Sequence, residues 1–149
     1  MTRKIYSTLI IAGLMMCSKF SNAQLYINGA QFTIESNATV TVQGNITSNV
    51  DILGGGKILL NGASNQTLDM NNKTIPNLEI DKTVSTTTLV SAAKIGTDLK
   101  FTNGSIFLGA NNLTMAAAAT ITTPASNRFV VTDGTGKLIK TSLGGTAFN

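Results

Sequence analysis

Apolar and polar residues alternate along this chain in runs too short for helices. In Asp98–Met115 (DLKFTNGSIFLGANNLTM), Leu99 and Phe101 alternate with Lys100 and Thr102, giving a short strand with one apolar and one polar face. Asn103-Gly104 interrupts the run with a pair suited to the positive φ of a tight turn. Ser105–Leu108 resumes it, Gly109–Asn112 breaks it again, and Leu113 and Met115 restart the alternation. The rest of the chain varies this phrase.

Strands are predicted at Leu25–Ile27, Gln31–Ile34, Ala38–Val42, Ile46–Thr47, Val50–Leu53, Lys57–Leu60, Gln66–Asp69, Asn77–Ile80 and Thr87–Val90, with Lys94-Ile95 leading back to the phrase above. Turn residues separate them: Asn28-Gly29, Ser36-Asn37, Gly44-Asn45, a flexible turn at Gly54–Gly56, Asn61-Gly62 and Asn71-Asn72. Pro76 marks a strand start or an edge, because it cannot donate to a ladder. Ala116–Ala119 is too short for a stable helix and is expected at a tight inner corner. Arg128–Thr132 and Lys137–Lys140 flank Asp133–Gly136 and predict a β-hairpin.

The Asn-Gly pairs at 28, 61 and 103 are spaced 33 and 42 residues apart, which suggests imperfect coils of roughly 20 residues, two per interval. One coil cannot bury its own apolar side, so several must stack. The fold class expected is therefore all-β, a single-stranded β-solenoid of imperfect coils with a C-terminal hairpin; a β-sandwich of short strands is the alternative. The domain reading is a signal peptide over 1–23, solenoid repeats over 24–127, and a hairpin with a tail over 128–149.

The signal reading rests on Thr2-Arg3-Lys4, the apolar run Ile5–Met16, and Ser21-Asn22-Ala23, which places cleavage between Ala23 and Gln24. That run is short of the roughly 20 apolar residues a membrane span requires. Leu14–Cys17 has the outline of a lipoprotein acceptor site, kept as a lesser alternative because Met16 stands where a small residue belongs. The chain has 11 basic and 7 acidic residues, and losing Arg3, Lys4 and Lys19 leaves 8 against 7, so the basic charge is an export feature and nucleic acid is not an expected partner. With no His and with its single Cys inside the signal, the mature chain can form neither a disulfide nor a zinc site.

The segments Gln43–Thr83, Asp98–Met115 and Asn127–Leu138 (NRFVVTDGTGKL) together resemble the repetitive β-strand regions of large secreted surface proteins of Bacteroidota. The resemblance implies export, a β-helical surface or adhesin-like role and, in many such proteins, a C-terminal sorting domain. This chain stops at Asn149 without one, so either the final hairpin caps the solenoid or the chain is a truncated fragment.

Little else carries chemistry. Gly134–Lys137 lacks the first glycine of a phosphate loop, where Val131 stands, and Leu138 replaces its Ser or Thr. Glu79 and Asp81 share one side of a strand and could be half of an active site or a calcium site; solvated strand exterior is the reading adopted. Phe32, Phe101 and Phe129 are expected in the core, while Tyr26 and Phe107 are the candidate exposed aromatic contacts. Asn-x-Ser/Thr recurs at Asn37, Asn45, Asn65, Asn72, Asn103 and Asn112, as the composition alone would produce. No cofactor is called for. The function expected is a secreted or cell-surface structural, adhesin-like scaffold without catalytic activity; the alternatives are an extracellular polysaccharide-binding module or a piece of a larger surface protein. A lyase-like enzyme would require Asp69, Glu79, Asp81, Asp98 and Lys100 to converge.

Overall fold

The computed structural model describes residues 23–141. In chain order its strands are β1 (Leu25–Ile27), β2 (Phe32–Thr33), β3 (Thr39–Val42), β4 (Ile46–Ser48), β5 (Ile52–Leu53), β6 (Lys57–Leu60), β7 (Gln66–Asp69) and β8 (Lys73–Asp81). They continue as β9 (Thr87–Leu89), β10 (Ala93–Asn103), β11 (Ile106–Phe107), β12 (Leu113–Met115), β13 (Thr120–Thr122), β14 (Val130–Val131) and β15 (Leu138–Lys140). Among the described residues no helix is long and apolar enough to cross a membrane.

Strands of successive windings pair in parallel, except that β5 lies against β8 without a ladder, and the result is a β-solenoid of about six turns. The first face runs β1-β4-β7-β9-β11-β14. The second begins with β2-β5 and continues through the first halves of β8 and β10 into β12 and β15. The third runs β3-β6, the second halves of β8 and β10, then β13. Paired residues stand between 18 apart (Thr39 with Lys57) and 25 apart (Leu113 with Leu138). Uniform parallel pairing rules out the sandwich, whose sheets are antiparallel.

Inward residues meet their equivalents in columns. Val40, Ile58, Leu78, Leu99 and Ile121 form one, and Leu25, Ile46, Leu68 and Leu89 another. Ile46, Ile58, Leu68 and Leu99 have no exposed surface, so the short alternating runs do share one dry interior. A fully buried aliphatic side chain contributes about 1.5–3 kcal/mol, which no isolated coil could collect.

The Asn-Gly pairs are not equivalent. Asn28-Gly29 follows a first-face strand, whereas Asn61-Gly62 and Asn103-Gly104 follow third-face strands two windings apart. The expectation of two coils per interval therefore holds only for the second interval; the first spans about one and a half.

Pro76 lies inside β8, not at its start. The pairing with β10 shifts register between Ile95 and Asp98 at this point, so the chain turns from second face to third there and asks no ladder bond of the proline. At Gly54–Gly56 the turn is a close contact: a Cβ on Gly54 (φ +92°) would lie 2.1 Å from Ile34 O, and one on Gly56 2.3 Å from Ile34 Cγ2. Of the four alanines, Ala119 is buried and Ala116 packs on the core, but Ala118 is exposed.

The C-terminal hairpin expected over 128–140 does not form. β14 pairs with β11 and β15 with β12, both parallel, so the solenoid runs past residue 127 to at least Lys140. The Asp133–Gly136 loop rests on the turn of the preceding coil. Asp133 Oδ1 accepts the Gly109 N–H at 2.8 Å, and the Gly136 N–H donates to Gly109 O at 2.8 Å. A lone two-stranded hairpin is marginal in water, whereas another coil extends ladders already in place. Among the described residues the one isolated antiparallel bridge joins Ala125 and Arg128.

Candidate functional site: a charged groove and an aromatic hollow

The third face carries its outward side chains in two columns, all polar but Leu59. Thr39, Lys57, Asn77, Asp98 and Thr120 form one; Thr41, Leu59, Glu79, Lys100 and Thr122 form the other. Between them a groove of about 430 Å³ crosses four coils, with Lys57, Asn77, Glu79, Asp98 and Lys100 along it. Glu79 Oε2 lies 2.5 Å from Lys57 Nζ, and Oε1 lies 3.1 Å from Lys100 Nζ. The Thr102 hydroxyl donates to Oε1 at 2.6 Å.

Although it projects outward, Glu79 is only 6% exposed, because the two lysines lie over it. Solvated strand exterior is therefore the wrong description of this residue. Burial by itself raises its pKa, but hydrogen bonds from Lys57, Thr102 and Lys100 outweigh burial and hold it at about 2, down from 4.5. Asp98 accepts from the hydroxyls of Thr120 (2.6 Å) and Thr122 (2.8 Å), and Asn77 Nδ2 donates to the carbonyls of Gly55 (3.1 Å) and Gly56 (3.0 Å). The groove is thus a lattice of groups bonded largely to one another. Among the described residues its charges cancel, two cations against two carboxylates, and no aromatic side chain lines it.

Of the five residues a lyase-like centre would gather, Glu79, Asp98 and Lys100 meet here with Lys57. The other two stand apart. Asp69 lies on the first face, where it accepts from Ser91 Oγ at 2.6 Å, and Asp81 accepts from Asn103 Nδ2 at 2.7 Å. Glu79 and Asp81 thus share a strand but work separately. Among the described residues no three of His, Cys, Asp and Glu converge as a metal site would need.

The two aromatic candidates both face outward from the first face. Tyr26 is 64% exposed and borders a hollow of about 200 Å³ with Asn28, Thr47, Asn49, Asp69 and Asn71. Phe107 is half-buried beside Thr88 and Val131. Phe101 is fully buried and Phe32 packs on the core, as expected; Phe129, expected inside, is 42% exposed on the last winding. Of the pair at which the sequence predicts cleavage, Ala23 and Gln24 are both exposed, and Ala23 O accepts the Gly44 N–H at 2.8 Å. The segment predicted to be a signal peptide, Cys17 included, lies outside the described residues, as does the tail after Thr141.

Two polar devices gave no obvious sign in the sequence. Lys82 is only 2% exposed, and its ammonium donates to Gly62 O, to Ser64 O at 2.7 Å and to Gln66 Oε1 at 2.7 Å. Gln66 Nε2 in turn donates to the carbonyls of Val42, at 2.9 Å, and Gly44. Among the described residues no carboxylate pairs with Lys82, and burial lowers its pKa. The second device is a ladder of turn side chains. Asn45 Oδ1 accepts the Thr67 N–H (2.9 Å), Asn65 Oδ1 that of Thr86 (3.1 Å) and Asn112 Oδ1 that of Lys137 (3.0 Å). Asp51 does the same for Thr74 (2.7 Å), and that backbone hydrogen bond lowers its pKa against a smaller opposing effect of burial. Asn-x-Thr recurs in part because the asparagine caps the next coil while the threonine occupies an outward strand position. Compared with known proteins, the chain matches no family model, no curated protein and no solved structure.

Proposed function

We propose that the protein is a secreted or cell-surface scaffold whose work is mechanical and non-catalytic. The observation that carries this is the coil-to-coil ladder. Asn49 Oδ1 accepts the Gly29 N–H (2.8 Å), Asn45 that of Thr67, Asn65 that of Thr86 and Asp133 that of Gly109, and Asn111 Nδ2 donates to Leu89 O (2.9 Å), so every junction between windings has its own tie. These ties add to the parallel main-chain pairing between coils and resist shear. The Glu79 lattice does the same across the third face, its carboxylate and ammoniums being spent on one another. A signal-like first segment and a near-neutral mature charge suit a place outside the cell.

The test is mass spectrometry of the protein from host surface and culture-medium fractions, with those fractions assayed for polysaccharide cleavage. The expected result is an N-terminus at Gln24 and no turnover that depends on this chain. A cytoplasmic protein retaining Met1 would remove the location, and cleavage lost in Glu79→Gln would remove the non-catalytic reading.

A further inference from the structure

We infer that the hollow beside Tyr26 is a binding site for a single neutral sugar ring, a function separate from the scaffold and independent of it. Tyr26, Thr47 and Asp69 are register partners on three successive coils, so one outward column carries an aromatic ring, a hydroxyl and a carboxylate. The neighbouring turns add Asn28, Asn49 and Asn71. Three of these side chains are held by neighbours: Asn49 Nδ2 donates to Asn28 Oδ1 at 2.6 Å, Asn49 Oδ1 accepts the Gly29 N–H at 2.8 Å, and Ser91 Oγ donates to Asp69 Oδ1 at 2.6 Å. Each amide nitrogen carries two protons and each carboxylate two oxygens, so these bonds leave donor and acceptor capacity unused.

A pyranose matches this set. One side of its ring is a patch of C–H bonds that lies on an aromatic face, and its rim hydroxyls each donate and accept. A rigid aromatic with few rotamers flanked by amides is the composition of sites that bind polar ligands at low ordering cost. Size and charge narrow the class. At about 200 Å³ the hollow falls below the roughly 300–1,000 Å³ of drug-sized pockets, so one ring fits rather than a length of chain. Among the described residues Asp69 is the one charged residue lining it, and its carboxylate disfavours uronic and sulfated sugars. The larger third-face groove lacks an aromatic platform and has its charges paired internally, so it is the weaker site despite its volume.

The composition supplies the probe. The chain has no Trp and two Tyr, of which Tyr6 lies in the signal segment, so in the processed chain tyrosine emission reports Tyr26 alone. Titration of that chain with the methyl glycosides of glucose, galactose, mannose and N-acetylglucosamine should give a saturable change for at least one, with Kd in the millimolar range typical of so small a contact. Methyl glucuronide should bind at least about ten-fold more weakly. Ligand-observed saturation-transfer NMR then compares variants: Tyr26→Phe should stay within about three-fold, and Tyr26→Ala should lose about ten-fold or more. Thr47→Arg, which fills the hollow from an outward position, should also abolish binding while circular dichroism shows the fold unchanged. No saturation up to about 100 mM, a preference for the glucuronide, or undiminished binding by Tyr26→Ala or Thr47→Arg would each overturn the proposal.

Discussion

The chain handles two sets of lysines in opposite ways. On the third face Lys57 and Lys100, each about 40% exposed at the side chain, share Glu79 and gain a counter-charge while keeping contact with water. At the interior corner Lys82 has lost nearly all contact with water and is held by carbonyl and amide oxygens alone. The first arrangement lowers the free energy of a charged group in the folded state; the second raises it and recovers part through hydrogen bonds. The difference comes from where the coil path places each residue. An outward strand position faces the same position one winding away, so opposite charges can meet. A corner residue turned inward meets oxygens of the preceding winding, here the carbonyls of Gly62 and Ser64 and the amide of Gln66.

The largest effect that would break this contrast is expected at the interior corner. Lys82→Ala removes the donor to three acceptors and leaves a cavity, and should lower stability by about 3–5 kcal/mol, seen as a lower urea midpoint. Glu79→Gln comes second, since it leaves two lysines facing each other. The full pKa shift corresponds to about 3 kcal/mol, and the lysines' exposure reduces the expected loss to about 2 kcal/mol.

The two arrangements should also separate by pH. The folded pKa of Glu79 is depressed, so its contribution is present above pH 4.5 and fades as pH falls toward 2; Glu79→Gln should flatten that acid limb. The folded pKa of Lys82 is also depressed, but the disfavoured form is the charged one. The unfolded state then holds more protons between the folded value and 10.5, so stability should rise with pH through that window, and Lys82→Met should abolish the rise. Urea titrations at several pH values read both limbs. The smallest effect is that of Lys57→Gln or Lys100→Gln alone, under about 1 kcal/mol and fading with added salt.

Much of the fold is legible in the order of residues alone. Lys57–Leu60, Gln66–Asp69 and Leu113–Met115 are strands at the residues their alternation marks, because which side of a strand is apolar is a local property. The all-β solenoid follows from those runs being too short to bury a face singly. Register is harder. Glu79 stands 22 residues after Lys57 and 21 before Lys100, one winding each way, so the ion pairs become visible once the coil length is known. The Asn-Gly pairs mislead on that length, since they sit at different corners.

Alternation, turn residues and small size thus determined the strands, their parallel stacking class and the alternating inward residues. Tertiary structure decided the rest: that Arg128–Lys140 continues the coil, that Pro76 sits at a corner within a strand, that Lys82 is interior, and that Tyr26 and Asp69, two windings apart, border one hollow. The reason is distance along the chain. Contacts within a strand are set by neighbours one or two residues away, while every contact between coils joins residues about 20 apart and depends on the length of each intervening turn.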